Sequence, residues 1–286
     1  MKNLALASAA ILVFGGAATA QAGDGMSDGI SGFVEANVGA HNRYQFDSNS
    51  ENGWFPTGEV SFAVNMPLGD GWNLQVDGFG GGSAEDSSDF AYAYGGGGPH
   101  LFWRDGDYAA GMFAATGVLY IPANATVVTV GLEGAMFDDN STHVLQAGYL
   151  SRIDAPFPDL SDNDFVSNGL ILNYVFRYFF GDDMMASLGV AGAYGQMDSV
   201  QDDFGAGRLD LRFEHKPDGW PVSYFVNLVA TVGVEESDDT DMHPRMVAGI
   251  RLPFGQMTLK DNDRHGATFG LPPFKDFQQL AGGALE

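Results

Sequence analysis

Apolar and polar residues alternate with a period of two along most of this chain. Val34, Ala36, Val38 and Ala40 interleave with Glu35, Asn37 and Gly39. Val60, Phe62, Val64 and Met66 interleave with Glu59, Ser61, Ala63 and Asn65, and Trp72, Leu74 and Val76 with Asn73, Gln75 and Asp77. The pattern is clearest over 208–214, where Leu209, Leu211 and Phe213 separate Arg208, Asp210, Arg212 and Glu214. In 170–178, Leu170, Leu172, Tyr174, Phe176 and Tyr178 share one face, with Asn173 and Arg177 on the other. A strand turns successive side chains to opposite sides of its sheet, so each segment predicts a strand with one apolar and one polar face. No helical period of 3.6 persists anywhere.

Twelve such strands are predicted: 31–40, 58–66, 72–80, 90–103, 108–117, 126–137, 142–151, 168–179, 184–194, 205–215, 220–231 and 245–254. In the fourth, residues 95–99 (four glycines and Pro99) read as an interruption. The connections alternate in kind. Even strands end in short turns built from Gly, Asp, Asn and Pro, such as Leu68-Gly69-Asp70-Gly71 and Asp105-Gly106-Asp107. Odd strands are followed by mostly longer polar loops at 41–57, 81–89, 152–167, 195–204 and 232–244, with 118–125 as the short exception. A secreted β-sandwich would share the period of two but has no need of this regular long and short spacing. A membrane-spanning antiparallel barrel has both. Trp72, Trp103, Tyr108, Phe137, Phe179, Phe180 and Trp220 all flank the short turns, as an interfacial aromatic belt would.

The two ends of the chain read differently. Residues 1–22 carry Lys2, a short apolar run and small residues at Ala18, Ala20 and Ala22, the order of a cleaved secretory signal peptide. The charge-free stretch 108–132 is too broken by Pro122, Asn124 and glycines to be a membrane helix, and reads as two strands and a turn. Residues 255–286 form a polar C-terminal tail with Pro272-Pro273, expected on the periplasmic side of an even-stranded barrel. A lumen plug, a periplasmic contact and a solvated tail are all open to it. Phe269, Leu271, Phe274 and Phe277 favour partial order. Asp261–Gly266 opens like a calcium loop, but Pro272 stands where the bidentate carboxylate belongs, so the segment reads as a turn.

With this pattern in place, the chain resembles the bacterial outer-membrane β-barrels of the porin-like group, over residues 28–254. Such barrels end on a strand read by the barrel-assembly machinery, and Gly249, Leu252 and Phe254 match the spacing of that signal. Val247 and the residues beyond Phe254 depart from it. The resemblance implies an all-β transmembrane meander barrel in the outer membrane of a Gram-negative bacterium, in contact with lipid and lipopolysaccharide. It also implies passive diffusion of small polar solutes. A sealed structural or surface-interaction barrel and an outer-membrane lipid hydrolase are the alternatives.

Charge narrows the reading. Among 286 residues there are 37 acids against 13 bases, for a net charge of −24, yet charged residues make up only 17%. Such acidity argues against a nucleic-acid partner. Apolar exclusion of charge from a lipid-facing surface accounts for the low total. The largest share of the acids falls in the long loops: Glu235, Glu236, Asp238, Asp239 and Asp241 in one, Asp154, Asp159, Asp162 and Asp164 in another. Carboxylates so grouped suit divalent cations that could bridge to lipopolysaccharide phosphates. The inward acids are Glu35, Glu59, Asp77, Glu133, Asp210 and Glu214, and the inward bases Arg177, Arg208, Arg212 and Arg251. These ten are the predicted pore-lining residues. Acids and arginines would either face each other across an aqueous pore or pair with one another, Arg251 with Glu35 and the four charges of 208–214 along their strand.

Catalytic chemistry finds little support. The absence of cysteine removes disulfides, thiolate metal sites and a cysteine nucleophile. The six histidines have no metal-ligand spacing, and no cofactor is called for. Only His41 and His243 fall near the external rim where a lipid hydrolase would work. Gly25-Met26-Ser27-Asp28-Gly29 fits a nucleophile elbow by chance, with no strand before it or helix after.

Overall fold

A computed structural model of the chain describes residues 29–42, 44–45, 53–84, 91–120, 124–153, 166–197, 203–235, 240–255 and 258–281. Residues 1–22, read as a signal peptide, lie outside them. Twelve long strands follow one another: β1 (Ser31–Asn42), β2 (Trp54–Gly69), β3 (Trp72–Ala84), β4 (Ala91–Arg104), β5 (Tyr108–Tyr120), β6 (Asn124–Phe137), β7 (Ser141–Ile153), β8 (Val166–Phe179), β9 (Met184–Met197), β10 (Asp203–His215), β11 (Ser223–Glu235) and β12 (Thr240–Phe254). Each pairs antiparallel with the next, and β12 pairs back onto β1 from Gly32↔Phe254 to His41↔Arg245, which closes the sheet into a barrel. A two-residue strand, Tyr44–Gln45, adds to β12 at Met242 and Asp241.

The period of two becomes the two faces of the wall. On β8, Leu170 and Leu172 are 63% and 56% exposed, while Ile171 and Asn173, which alternate with them, are 3% and 7% exposed. Leu132, Leu145, Val190, Leu209, Leu211, Phe213, Val226, Leu228, Met246 and Ile250 continue the same outer surface around the barrel. Among the described residues, the outward positions at mid-strand carry no Asp, Glu, Lys or Arg. So broad an apolar exterior fits hydrocarbon rather than water. Trp72, Trp103, Tyr108, Phe180 and Trp220 are exposed beside the short turns. Phe137 and Phe179 are not part of that belt: both are buried inside the barrel, because their strand parity is that of the inward residues Glu133 and Arg177.

Local chemistry explains the turns. The pair Gly69↔Trp72 leaves Asp70-Gly71 as the hairpin loop. Both residues have positive φ, 52° and 81°, as the favoured two-residue hairpin turn requires. Residues 95–99 do not break β4, which runs unbroken from Ala91 to Arg104. Pairing with β3 is continuous through Val76↔Pro99, whereas pairing with β5 skips Gly98 and Pro99. Proline has no N–H to donate, so the ladder loosens on one side only.

The C-terminal segment runs inside the barrel. It enters at the end of the short turns, where Lys260 N donates to Asp182 O at 2.9 Å and Arg264 bonds Asp138 O. Helix α1 (Leu259–His265) begins on Thr258, whose hydroxyl accepts from Asp261 N; the residues read as a turn are therefore helical. An extended stretch climbs the lumen to helix α2 (Phe274–Ala281) near the opposite end. Three inner apolar clusters among the described residues each contain a residue of this segment. Phe269 packs with Phe102, Ala109, Ala135, Phe137 and Val144. Phe274 and Phe277 join Ala115, Val127, Leu150, Ile171, Ala191 and Phe204, and Leu259 joins Phe179 and Met185. Gly117 makes room for Phe274: a Cβ there would lie 2.5 Å from the ring. Each buried phenylalanine contributes about 1.5–3 kcal/mol to docking.

Two outcomes follow. The closed barrel is expected to migrate differently before and after boiling in a detergent gel, and identical mobility would count against closure. In the folded protein, Lys275 is expected to resist trypsin. Phe269→Ala, at a cost of about 3–5 kcal/mol, is expected to loosen the segment and release the fragment beginning at Asp276, read by mass.

Candidate functional site

The extended stretch between the helices has no strand or helix to satisfy its backbone, and buried backbone groups need partners. Side chains of the wall supply them. Gln75 on β3 donates to Phe269 O at 2.6 Å, and Gln146 on β7 donates to Gly270 O at 2.8 Å. Arg104 on β4 reaches Gly266 O at 2.9 Å and Thr268 Oγ1 at 2.6 Å. Arg177 on β8 donates to Thr268 O at 2.9 Å and pairs with Asp263. His100 stacks on Phe269 and lies between Glu133 at 2.9 Å and Asp77 at 3.5 Å.

The opposite wall, formed by β10–β12 and β1–β3, keeps its charges largely to itself. Arg212 on β10 binds Glu35 on β1 and Glu214 on its own strand, each at 2.8 Å. Arg251 on β12 reaches the same two carboxylates at 2.9 and 3.5 Å. Their guanidinium groups sit over aromatic rings, Arg212 over Phe225 at 3.7 Å and Arg251 over Phe33 at 4.0 Å. Paired and stacked in this way, both arginines are held rigidly. Toward the other end of the barrel the tail joins the network. Lys275 pairs with Glu59, Arg208 with Asp210 and Asp276, and Arg245 with Asp276. Burial works against the Asp276 charge, yet Arg245, Arg208, Lys275 and His243 hold its carboxyl below the ordinary carboxylate range.

Between this wall and the tail lies a cavity of about 330 Å³. Nine of the ten residues read as pore-lining border it: Glu35, Glu59, Asp77, Arg177, Arg208, Asp210, Arg212, Glu214 and Arg251. Glu133 also points inward but is covered by His100 and Gln146. Acids and arginines do not form separate facing walls. Closure sets Glu35 opposite Arg251 in register, and Arg212 reaches across to the same carboxylate, so the charges form contiguous pairs. At the end of β12, Gly249 lies under the Phe225 ring, Leu252 is exposed outward, and Phe254 closes on Gly32.

Several lumen residues escaped the sequence reading. Arg245 has the parity of Arg251 on the same strand, which was the available signal. Arg104 lies one residue beyond the strand 90–103 that the alternation predicts. Asp263, Lys275 and Asp276 lie in the tail, where no strand parity applies. His41 does meet a hydroxyl: its Nδ1 is 2.8 Å from Ser83 Oγ. Ser83 also donates to Pro56 O at 3.0 Å, both side chains are buried, and Arg245 is a charged neighbour of His41. Among the described residues no cluster of His, Asp and Glu is placed to hold a metal ion. Asp154, Asp159, Asp162, Asp164, Glu236, Asp238 and Asp239, the acids proposed to bind divalent cations, lie outside the described residues, as do the side chains of Glu235 and Asp241.

No protein-family model and no curated protein sequence matches the chain. Solved structures do. An outer membrane channel from Pseudomonas putida F1 is similar with a TM-score of 0.56 at 10% identity, covering 82% of this chain and 99% of that one. The translocator domain of autotransporter NalP from Neisseria meningitidis gives 0.47 at 10% identity, over 88% and 96%. KdgM porin gives 0.41 at 11% identity, over 76% and 99%. The chain is a closed, antiparallel twelve-stranded meander barrel, the fold of outer-membrane β-barrels.

Proposed function

We propose that the protein is a channel in the outer membrane of a Gram-negative bacterium, through which small polar solutes diffuse passively between the C-terminal segment and the β10–β12 and β1–β3 wall. The observation that carries this reading is the charged cavity that the C-terminal segment leaves in the lumen. Phe269, Phe274 and Phe277 are buried in apolar clusters, yet a cavity of about 330 Å³ remains beside the segment, lined by carboxylates and guanidinium groups. Rings of charged side chains are how aqueous pores select their solutes. The Pseudomonas putida neighbour, itself an outer membrane channel, supports the reading. In this location the apolar exterior faces lipid and lipopolysaccharide, Gly249, Leu252 and Phe254 present the closing strand to the barrel-assembly machinery, and the acidic loops take divalent cations.

A sealed barrel is the second reading. The mutual pairing of Glu35, Glu214, Arg212 and Arg251 favours it, because charges satisfied by each other need no solute.

Planar-bilayer recording separates the two. The full chain is expected to give small discrete conductance steps, and a chain ending at Phe254 larger ones, its folding checked by gel mobility. No steps from either protein would establish the sealed barrel. Arg208→Ala with Arg212→Ala is expected to move the reversal potential toward cation preference, and an unchanged potential would remove these side chains from the conducting path.

A further inference from the structure

The contacts of Asp276 point to a ligand site in the lumen. Its carboxylate is 6% exposed and lies between two arginines of different strands: Oδ2 is 3.0 Å from Arg208 Nε, and Oδ1 is 3.6 Å from Arg245 Nη1. The fit is ionic but angularly poor. Asp276 Oδ2, Arg208 Nε and Arg245 Nε are all buried without a well-formed hydrogen bond. A guanidinium offers a planar fork that matches a carboxylate with two parallel bonds, and an aspartate held on a short helix does not achieve that geometry here. Arg208 has Asp210 as a second counter-ion on its own strand, whereas the ion pair of Arg245 is with Asp276 alone among the described residues. The wall therefore presents a pair of arginines whose shared counter-ion, Asp276, belongs to the tail.

We propose that Arg208 and Arg245 form a binding site for small organic carboxylates, with Asp276 occupying it until a solute carboxylate takes its place and frees α2 from the wall. Displacement leaves the charge balance unchanged, since one carboxylate replaces another. Lys275, anchored on Glu59 and lying over Phe79 and Tyr94 at 4.8 and 5.0 Å, is the adjacent hold that must loosen with α2. This deepens the channel reading by naming its solute class, and its binding step can be measured apart from conduction.

The test uses the full chain folded in detergent, with sodium acetate as the probe against sodium chloride at equal ionic strength. Acetate is expected to accelerate trypsin cleavage at Lys275 severalfold. Asp276→Asn, which removes the competing charge while keeping the shape of the side chain, is expected to tighten acetate binding by about tenfold in calorimetric titration, as loss of a competing charged partner would. Adding Arg245→Gln to that variant is expected to abolish binding. Should the double variant fail to fold, Arg245→Lys, which retains charge but not the fork, is expected to weaken acetate binding in its place. Acetate binding unchanged by Asp276→Asn, or undiminished by either Arg245 substitution, would overturn the proposal. Conductance steps with no acetate response would overturn the site and leave the channel standing; acetate binding without conductance would support the site and overturn the channel.

Discussion

Hydrocarbon offers no partner to a backbone amide, so a sheet that crosses a membrane must pair its last strand with its first. In this protein that constraint is met by the register of β12 on β1, from Gly32↔Phe254 to His41↔Arg245. Nearly everything else depends on it. Closure divides every strand into a lipid face and a lumen face, confines charge to the latter, and brings Arg251 beside Glu35 although the two residues are far apart in sequence. The ion-pair cluster at the β10–β12 and β1 seam is thus a consequence of topology.

Closing twelve strands creates a second problem. The enclosed space is wider than the eight-stranded barrels that side chains alone can fill. The chain resolves it with its own C-terminus, whose apolar side chains pack against β4–β10 and whose backbone is satisfied by Gln75, Gln146, Arg104 and Arg177. Those four side chains resemble lining groups for water when read along their strands. In the folded molecule they act as hydrogen-bonding supports for a segment distant in sequence. What remains open is a cavity of about 330 Å³ bordered by the tail and by charged strands, and the proposed passage and carboxylate site both lie along it.

Legibility in the sequence followed the range of the interaction. The strands, their order and the orientation of residues such as Leu209 and Arg212 could be read directly, because alternation is a local property of two neighbouring side chains. The same rule, applied at Phe137 and Phe179, was overridden by a positional cue: both flank short turns, yet their parity turns them inward onto Phe269 and Leu259. A further signal lay in Val127, Val144, Leu150 and Ile171, apolar residues at lumen-facing positions of β6–β8. Their presence at inward positions already called for an apolar partner inside the barrel.

The sequence by itself determined an all-β meander, the strand faces and the identities of most inward charges, because each of these depends on residues two apart or on a turn of a few residues. Only the tertiary structure decided which charges meet, where the tail lies and which part of the lumen stays open. Those outcomes depend on the closing register and on contacts such as Arg245 with Asp276 and Gly117 with Phe274, between positions that share no local pattern. Strand alternation states which way a side chain points; it carries no information about what arrives from elsewhere in the chain to meet it.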